Sequence, residues 1–270
     1  MYPLDTVKTR MQLQIGKGGA DGYNSVFGTL RSIVAKEGFA RLYRGILPPI
    51  IMEAPKRAIK FSANEQFGQI YRKQFNMPVM TQGLSILTGV SAGVTEAFVV
   101  TPFELVKIRL QDKANAALYS GTSDALRKIL KNEGPLAFYN GLEATIWRHG
   151  LWNGGYFGFI HAVRSKLPKA ETKTQEKLYG FIAGALGGTF GTILNTPTDV
   201  VKTRVQNQKP SDPVRKYNWT IPAVATIAKE EGVAALYKGF VPKVLRLGPG
   251  GGVLLVVFET VSELLRKYAM

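Results

Sequence analysis

Pro3-Leu4-Asp5-Thr6-Val7-Lys8-Thr9-Arg10 stands at the start of the chain. The same frame of Pro, x, acid, x, x, Lys, x, Arg returns twice. It reads Pro102-Phe103-Glu104-Leu105-Val106-Lys107-Ile108-Arg109, then Pro197-Thr198-Asp199-Val200-Val201-Lys202-Thr203-Arg204. A glutamine follows two residues after each arginine, at Gln12, Gln111 and Gln206. The copies lie 99 and 95 residues apart. Three copies in register define an internal triplication, so the 270 residues divide into repeats at 1–76, 77–170 and 171–270.

Around each motif the same order of segments recurs. Short amphipathic helices are expected over Tyr23–Lys36, Ser123–Asn132 and Trp219–Glu230, closing at Glu37-Gly38, Glu133-Gly134 and Glu231-Gly232. An aromatic, a variable residue and a glycine come next: Tyr43-Arg44-Gly45, Tyr139-Asn140-Gly141 and Tyr237-Lys238-Gly239. Long helices then run over about 46–72, 142–167 and 240–266. Repeats two and three also carry an apolar lead-in to the motif, at 83–101 and 177–196. Repeat one lacks about 20 residues of it, and the expectation is an incomplete chain that is poorly stable alone. Helices of this length reach across a hydrocarbon layer of about 30 Å at about 1.5 Å per residue.

Composition narrows the class. Hydrophobic residues make up 45% of the chain, Gly occurs 29 times, and the mean hydropathy is −0.01. Glycines spaced by four, Gly89 and Gly93, then Gly180, Gly184 and Gly188, suit close packing of membrane helices. Polar residues on such helices are expected to line a water-filled cavity. The net charge of +16 calls for an anionic partner. There is no cysteine and only two histidines, His149 and His161, so no disulfide framework, metal or other cofactor is expected. No nucleophile or acid–base constellation marks an enzyme. The basic residues form no single stripe of the kind that binds nucleic acid. Trp147, Trp152 and Trp219 read as interface anchors or packing groups.

Within the motif, proline breaks one backbone hydrogen bond and bends the helix. Asp5, Glu104 and Asp199 sit three residues before Lys8, Lys107 and Lys202. An intrahelical pair is one reading. The one favoured by threefold symmetry is a ring, each acid pairing with the lysine of a neighbouring repeat and the three glutamines bracing across it.

These recurring motifs resemble the mitochondrial carrier family over the whole chain. The resemblance implies an all-α membrane protein. Its architecture is a threefold pseudosymmetric six-helix carrier bundle, with the first helix mostly missing here and short amphipathic helices on the matrix side. It implies a transporter of the inner mitochondrial membrane, working by alternating access as a functional monomer. The ring Asp5, Lys8, Glu104, Lys107, Asp199, Lys202 corresponds to the matrix gate, with Gln12, Gln111 and Gln206 as braces. A cytosolic gate falls on Glu65, Arg164 and Glu259; His161, Gly68 and Ser262 fill its other places, so this gate is expected to be weak. Asn140 replaces the basic residue usual before the second helix-start glycine. The Gly ends and helix starts resemble the family's cardiolipin sites, where helix N-termini offer N–H groups to phosphate.

Seven residues past Gly45, Gly141 and Gly239 stand Met52, Arg148 and Arg246, near mid-helix where carrier sites lie. Lys56, Arg57, Lys60 and Glu53 join them on one helix and His149 on another. Arg148 paired with Glu143 or Glu96 is the competing structural arrangement. Arginine binds carboxylates bidentately, so Arg148 and Arg246 are expected to hold a dicarboxylate, with Lys56 or Arg57 adding a third contact and His149 bonding a keto oxygen. The segments Met52–Phe61, Gly141–His149 and Pro249–Gly252 are similar to those of family members that exchange oxodicarboxylates such as 2-oxoadipate and 2-oxoglutarate. Citrate or malate is the alternative cargo.

Overall fold

The computed structural model describes residues 2–16, 23, 25–77, 79, 81–166, 172–208 and 216–245. The described residues are helical with no strand. Eight helices run in order: α1 (Tyr2–Leu13), α2 (Val26–Glu37), α3 (Leu47–Gln74), α4 (Gln82–Gln111), α5 (Thr122–Glu133), α6 (Leu142–Lys166), α7 (Lys173–Asn207) and α8 (Thr220–Glu231). A further helical stretch covers 240–245. Short 3₁₀ turns follow α2, α5 and α8 at Phe39–Tyr43, Pro135–Tyr139 and Val233–Tyr237. The described residues form an all-α bundle.

Local chemistry sets the ends of these elements. Ser25, Thr81 and Thr172 cap α2, α4 and α7, each accepting a hydrogen bond from the amide three residues on, which satisfies one of the otherwise free first-turn donors. The helices α2, α5 and α8 stop at Gly38, Gly134 and Gly232, where φ is 87°, 81° and 86°, a conformation open to glycine and strained for other residues. The motif helices α4 and α7 run on through Pro102 and Pro197. Just before each proline, Thr101 and Thr196 bond back to the carbonyls of Ala97 and Thr192, a pattern that bends helices.

Each repeat packs its own small core where the end of the motif helix meets the amphipathic helix and the 3₁₀ turn. In repeat one the core is Val7, Val26, Ile33 and Leu42. Repeat two uses Leu105, Val106, Leu110, Tyr119, Ala125, Ile129 and Ala137; repeat three uses Val200, Val201, Tyr217, Ala223, Ile227, Ala235 and Leu236. Ile33, Ile129 and Ile227 are equivalent, and all three are fully buried. The long helices pack as neighbours, α3 on α4, α4 on α6 and α6 on α7, while α1 reaches both α4 and α7. That closes the circle, and polar residues face its centre.

Candidate functional site

A central cavity of about 400 Å³ lies where these helices converge. Met52, Glu53, Lys56 and Lys60 enter it from α3, Glu96 from α4, Arg148, His149 and Trp152 from α6, Asn195 from α7 and Lys243 from the stretch 240–245. Asp5, Glu104 and Lys107 also line it, so the ring of the repeated motif bounds one end.

Arg148 is the central cation. Its Nη2 lies 3.4 Å from Glu104 Oε1 and 2.9 Å from His149 Nε2. A guanidinium only donates, so His149 Nε2 accepts and its Nδ1 carries the proton. Arg148 Nε stands 4.0 Å from Asp199 Oδ1, and this buried donor has no hydrogen-bond partner. Of the competing partners for Arg148, Glu143 instead accepts from the backbone N–H and hydroxyl of Thr220, while Glu96 lines the same cavity. Arg57 is not on the cavity wall. Its side chain is 58% exposed and bonds Glu53 Oε1 at 2.8 Å. Lys56 and Lys60, four residues apart, share the cavity side of α3, and one residue of helix turns Arg57 about 100° away. Arg246 lies outside the described residues.

The six motif charges pair between repeats. Lys8 Nζ lies 2.6 Å from Asp199 Oδ2, Lys202 Nζ lies 2.5 Å from Glu104 Oε2, and Lys107 bonds Asp5. The glutamines beneath behave unequally. Gln12 Oε1 accepts from Thr203 at 2.7 Å and its Nε2 donates to Asp199 at 3.3 Å. Gln111 Oε1 accepts from Thr9 at 2.7 Å, and its Nε2 donates to Tyr2 and Thr6 at 3.0 and 3.2 Å. Gln206 is fully buried, yet neither side-chain polar atom has a partner. The rotation that relates the other two pairs assigns it Ile108, where its sister repeats have Thr9 and Thr203.

The motif arginines carry a second layer of order that the sequence reading did not assign. Arg10, Arg109 and Arg204 each grip the glutamate ending their own amphipathic helix with both terminal nitrogens: Glu37, Glu133 and Glu231. Each Nε donates to the backbone carbonyl of a glutamine brace in another repeat, Arg10 to Gln111, Arg109 to Gln206 and Arg204 to Gln12. Every arginine therefore fastens its own repeat internally and a neighbour externally. The signal was present, because Glu and Arg recur together, but a glutamate before a terminal glycine reads as helix-end chemistry.

The basic residues of the helix starts tie the same seams. Arg44 donates to the carbonyls of Ala116 and Tyr119 in repeat two, and Lys238 donates to those of Gln14 and Gly16 in repeat one. Asn140 occupies the third position and lines a cleft of about 310 Å³ with Gly141, Glu143, Tyr217, Asn218 and Trp219. On the far side of the cavity, Glu65 is exposed and takes a 3.5 Å contact from Gln69. Glu259 and the side chain of Arg164 lie outside the described residues.

Glu231 has a strongly perturbed carboxyl. Burial pushes it up, but hydrogen bonds from Arg204, the Gly16 N–H and Lys238 outweigh this and hold it down at about 2.

Comparison with known proteins agrees with this geometry. Residues 1–75, 80–171 and 173–269 each match the family described as mitochondrial carrier protein. The mitochondrial citrate transporter D of Aspergillus niger is 62% identical over 99% of this chain and 89% of its own length. The probable mitochondrial 2-oxodicarboxylate carrier of Schizosaccharomyces pombe is 57% identical, with the same coverage. The mitochondrial 2-oxodicarboxylate carrier of Mus musculus is 44% identical over 96% of this chain and 87% of its own. With three matched units closing on one charged ring, the chain belongs to the mitochondrial carrier family.

Proposed function

We propose that this protein exchanges 2-oxodicarboxylates, 2-oxoadipate and 2-oxoglutarate among them, across the inner mitochondrial membrane by alternating access. The observation that carries the reading is Arg148: a guanidinium on the cavity wall with a buried Nε that lacks a hydrogen-bond partner. A substrate carboxylate supplies the acceptor. His149, protonated at Nδ1, offers a donor to a keto oxygen, and Lys56 and Lys60 balance further negative charge. Arg246 extends the same cation set by sequence position. The ring of Asp5, Lys8, Glu104, Lys107, Asp199 and Lys202 acts as the matrix gate, braced by Gln12 and Gln111, and must part for release. Glu65, Arg164 and Glu259 form the opposing, weaker gate. The reading is of a transporter and not an enzyme: a cargo that enters and leaves unchanged needs differential binding between two conformations, not a reacting group.

Membrane insertion is supported by the outward surface. Phe27, Phe61, Leu136 and Ile221 are between 64% and 82% exposed, an apolar exposure that suits lipid. Among the described residues one span, Ile86–Gln111, is long and apolar enough to cross a membrane by itself; the others carry cavity-facing charge. Cardiolipin is the lipid assigned to the clefts between helix starts and amphipathic helices. The monomer is the functional unit in this reading, supported by α1 joining both α4 and α7 within one chain.

Arg148→Ala is expected to abolish 2-oxoglutarate homo-exchange in proteoliposomes; wild-type-like exchange sinks the assigned site. Citrate is the second reading, favoured by the relative named a citrate transporter and by lysines beyond those a dicarboxylate needs. A hetero-exchange panel of oxodicarboxylates against citrate separates the two: preferential citrate uptake selects the second.

A further inference from the structure

Residues present in all three repeats serve the shared architecture, whereas a cargo without threefold symmetry is met by residues that break it. Two cavity residues break it together. Lys243 stands four residues past Gly239, where the sister repeats have Pro49 and Thr145. Asn195 stands two residues before Pro197, where repeat two has Val100. Both line the cavity, and they touch: Lys243 Nζ donates to Asn195 Oδ1.

The same ammonium reaches Asp199 Oδ2 at 3.3 Å. That oxygen is shared, since Lys8 lies 2.6 Å from it and Gln12 Nε2 lies 3.3 Å from it. Arg148 approaches the other oxygen of the same carboxylate at 4.0 Å. Arg148 and Lys243 thus converge on one carboxylate from the cavity side, and Asp199 stands where their reaches overlap. If Lys243 leaves, Lys8 and Gln12 still satisfy Asp199, so its departure strands no buried charge.

We propose that Lys243, presented by Asn195, is a substrate-binding cation. Its ammonium transfers from Asp199 to one carboxylate of a bound oxodicarboxylate while Arg148 takes the other. Loading then loosens the tie between the stretch 240–245 and α7 at the edge of the ring. This rests on the oxodicarboxylate reading of the cavity.

The test is exchange kinetics of the full-length chain in proteoliposomes. Lys243→Gln is expected to raise the KM for 2-oxoglutarate about tenfold or more, the loss of one charge-assisted hydrogen bond. Lys243→Arg recovers most of the affinity. Asn195→Asp keeps the ammonium but gives it a permanent carboxylate partner, and it also raises the KM. Inhibition by 2-oxobutyrate, which has a single carboxylate, changes little in any of them. The proposal is overturned if Lys243→Gln and Asn195→Asp both keep the wild-type KM and lose only maximal rate or thermal stability, which makes Lys243 a structural partner of Asp199. If Lys243→Gln does not fold, Asn195→Asp decides. Failure of the wild type to exchange 2-oxoglutarate is a different result, and it overturns the substrate reading itself.

Discussion

Arg204 and Glu231 show how one residue pair carries a repeat. The arginine side chain is 3% exposed and the glutamate 5%, and both terminal nitrogens engage the carboxylate. Burying either charge alone is costly, so the pair stabilises only as long as Glu231 is ionised. Its carboxyl sits at about 2 in the folded chain against 4.5 for an ordinary glutamate. A depressed carboxyl contributes stability fully above its unfolded value, and that contribution is lost as pH falls from about 4.5 through about 2. The thermal midpoint in detergent is therefore expected to be insensitive to this group near neutrality and to fall on acidification below about 4.5. Glu231→Gln should lower the midpoint at pH 7 and flatten that acid limb; an unchanged acid limb counts against the assignment. At this scale the sequence pointed to the motif acids and lysines and passed over the arginine–glutamate pairs, because a glutamate before a terminal glycine reads as helix-end chemistry. Threefold symmetry did name the inter-repeat partners of the acids and lysines, Lys8 with Asp199, Lys107 with Asp5 and Lys202 with Glu104.

At the scale of elements, the helix starts and the motif helices are fitted to each other through glycine. Gly141 has φ of 80°, and a Cβ placed there meets Gln206 Cγ at 2.8 Å. A Cβ placed on the equivalent Gly239 meets Gln12 Cγ and Lys8 Cγ at 3.1 Å. The close approach lets α6 begin directly against α7, which places Arg148 two turns further on beside Glu104 and Asp199. Gly141→Ala is expected to cost roughly 1–3 kcal/mol through strain and overpacking, read as a lower unfolding midpoint; a neutral result means the seam yields freely. The elements themselves were legible: α5, α6 and α8 fall within a residue or so of their expected bounds, because caps and glycines punctuate each repeat. Of the two expected third contacts, Lys56 lines the cavity and Arg57 turns outward to Glu53. Three cations within five residues of helix cannot all face one cavity, and pattern alone did not say which face Lys56 and Lys60 would take.

The whole molecule is a ring of three seams of unequal strength. Among the described residues, the seam between repeats two and three lacks one tie that the others have, a threonine for Gln206, replaced by Ile108; Asn140 stands where the other seams have Arg44 and Lys238. Asn207 partly compensates by donating to Asp112 at 2.9 Å and accepting from Asn115 at 3.1 Å. Ile108→Thr is expected to stabilise the closed ring by about 1 kcal/mol, giving Gln206 the hydroxyl its sisters have. The check is the thermal midpoint in detergent, with Thr203→Val as the opposite change. If Ile108→Thr lowers the midpoint as much as Thr203→Val does, the threonine–glutamine contact has no stabilising role. Triplication made the architecture readable from the sequence. The cargo site was readable only in part, because Lys243 and Asn195 have no counterparts in the other repeats and a search for recurrence passes over them.

The arginine Nε bonds run from repeat one to two, from two to three and from three back to one. Such a circuit has no beginning. None of these three bonds depends on which repeat comes first along the chain. A circular permutant that starts at repeat two and ends with repeat one preserves every arginine–carbonyl tie, and it should assemble the same bundle.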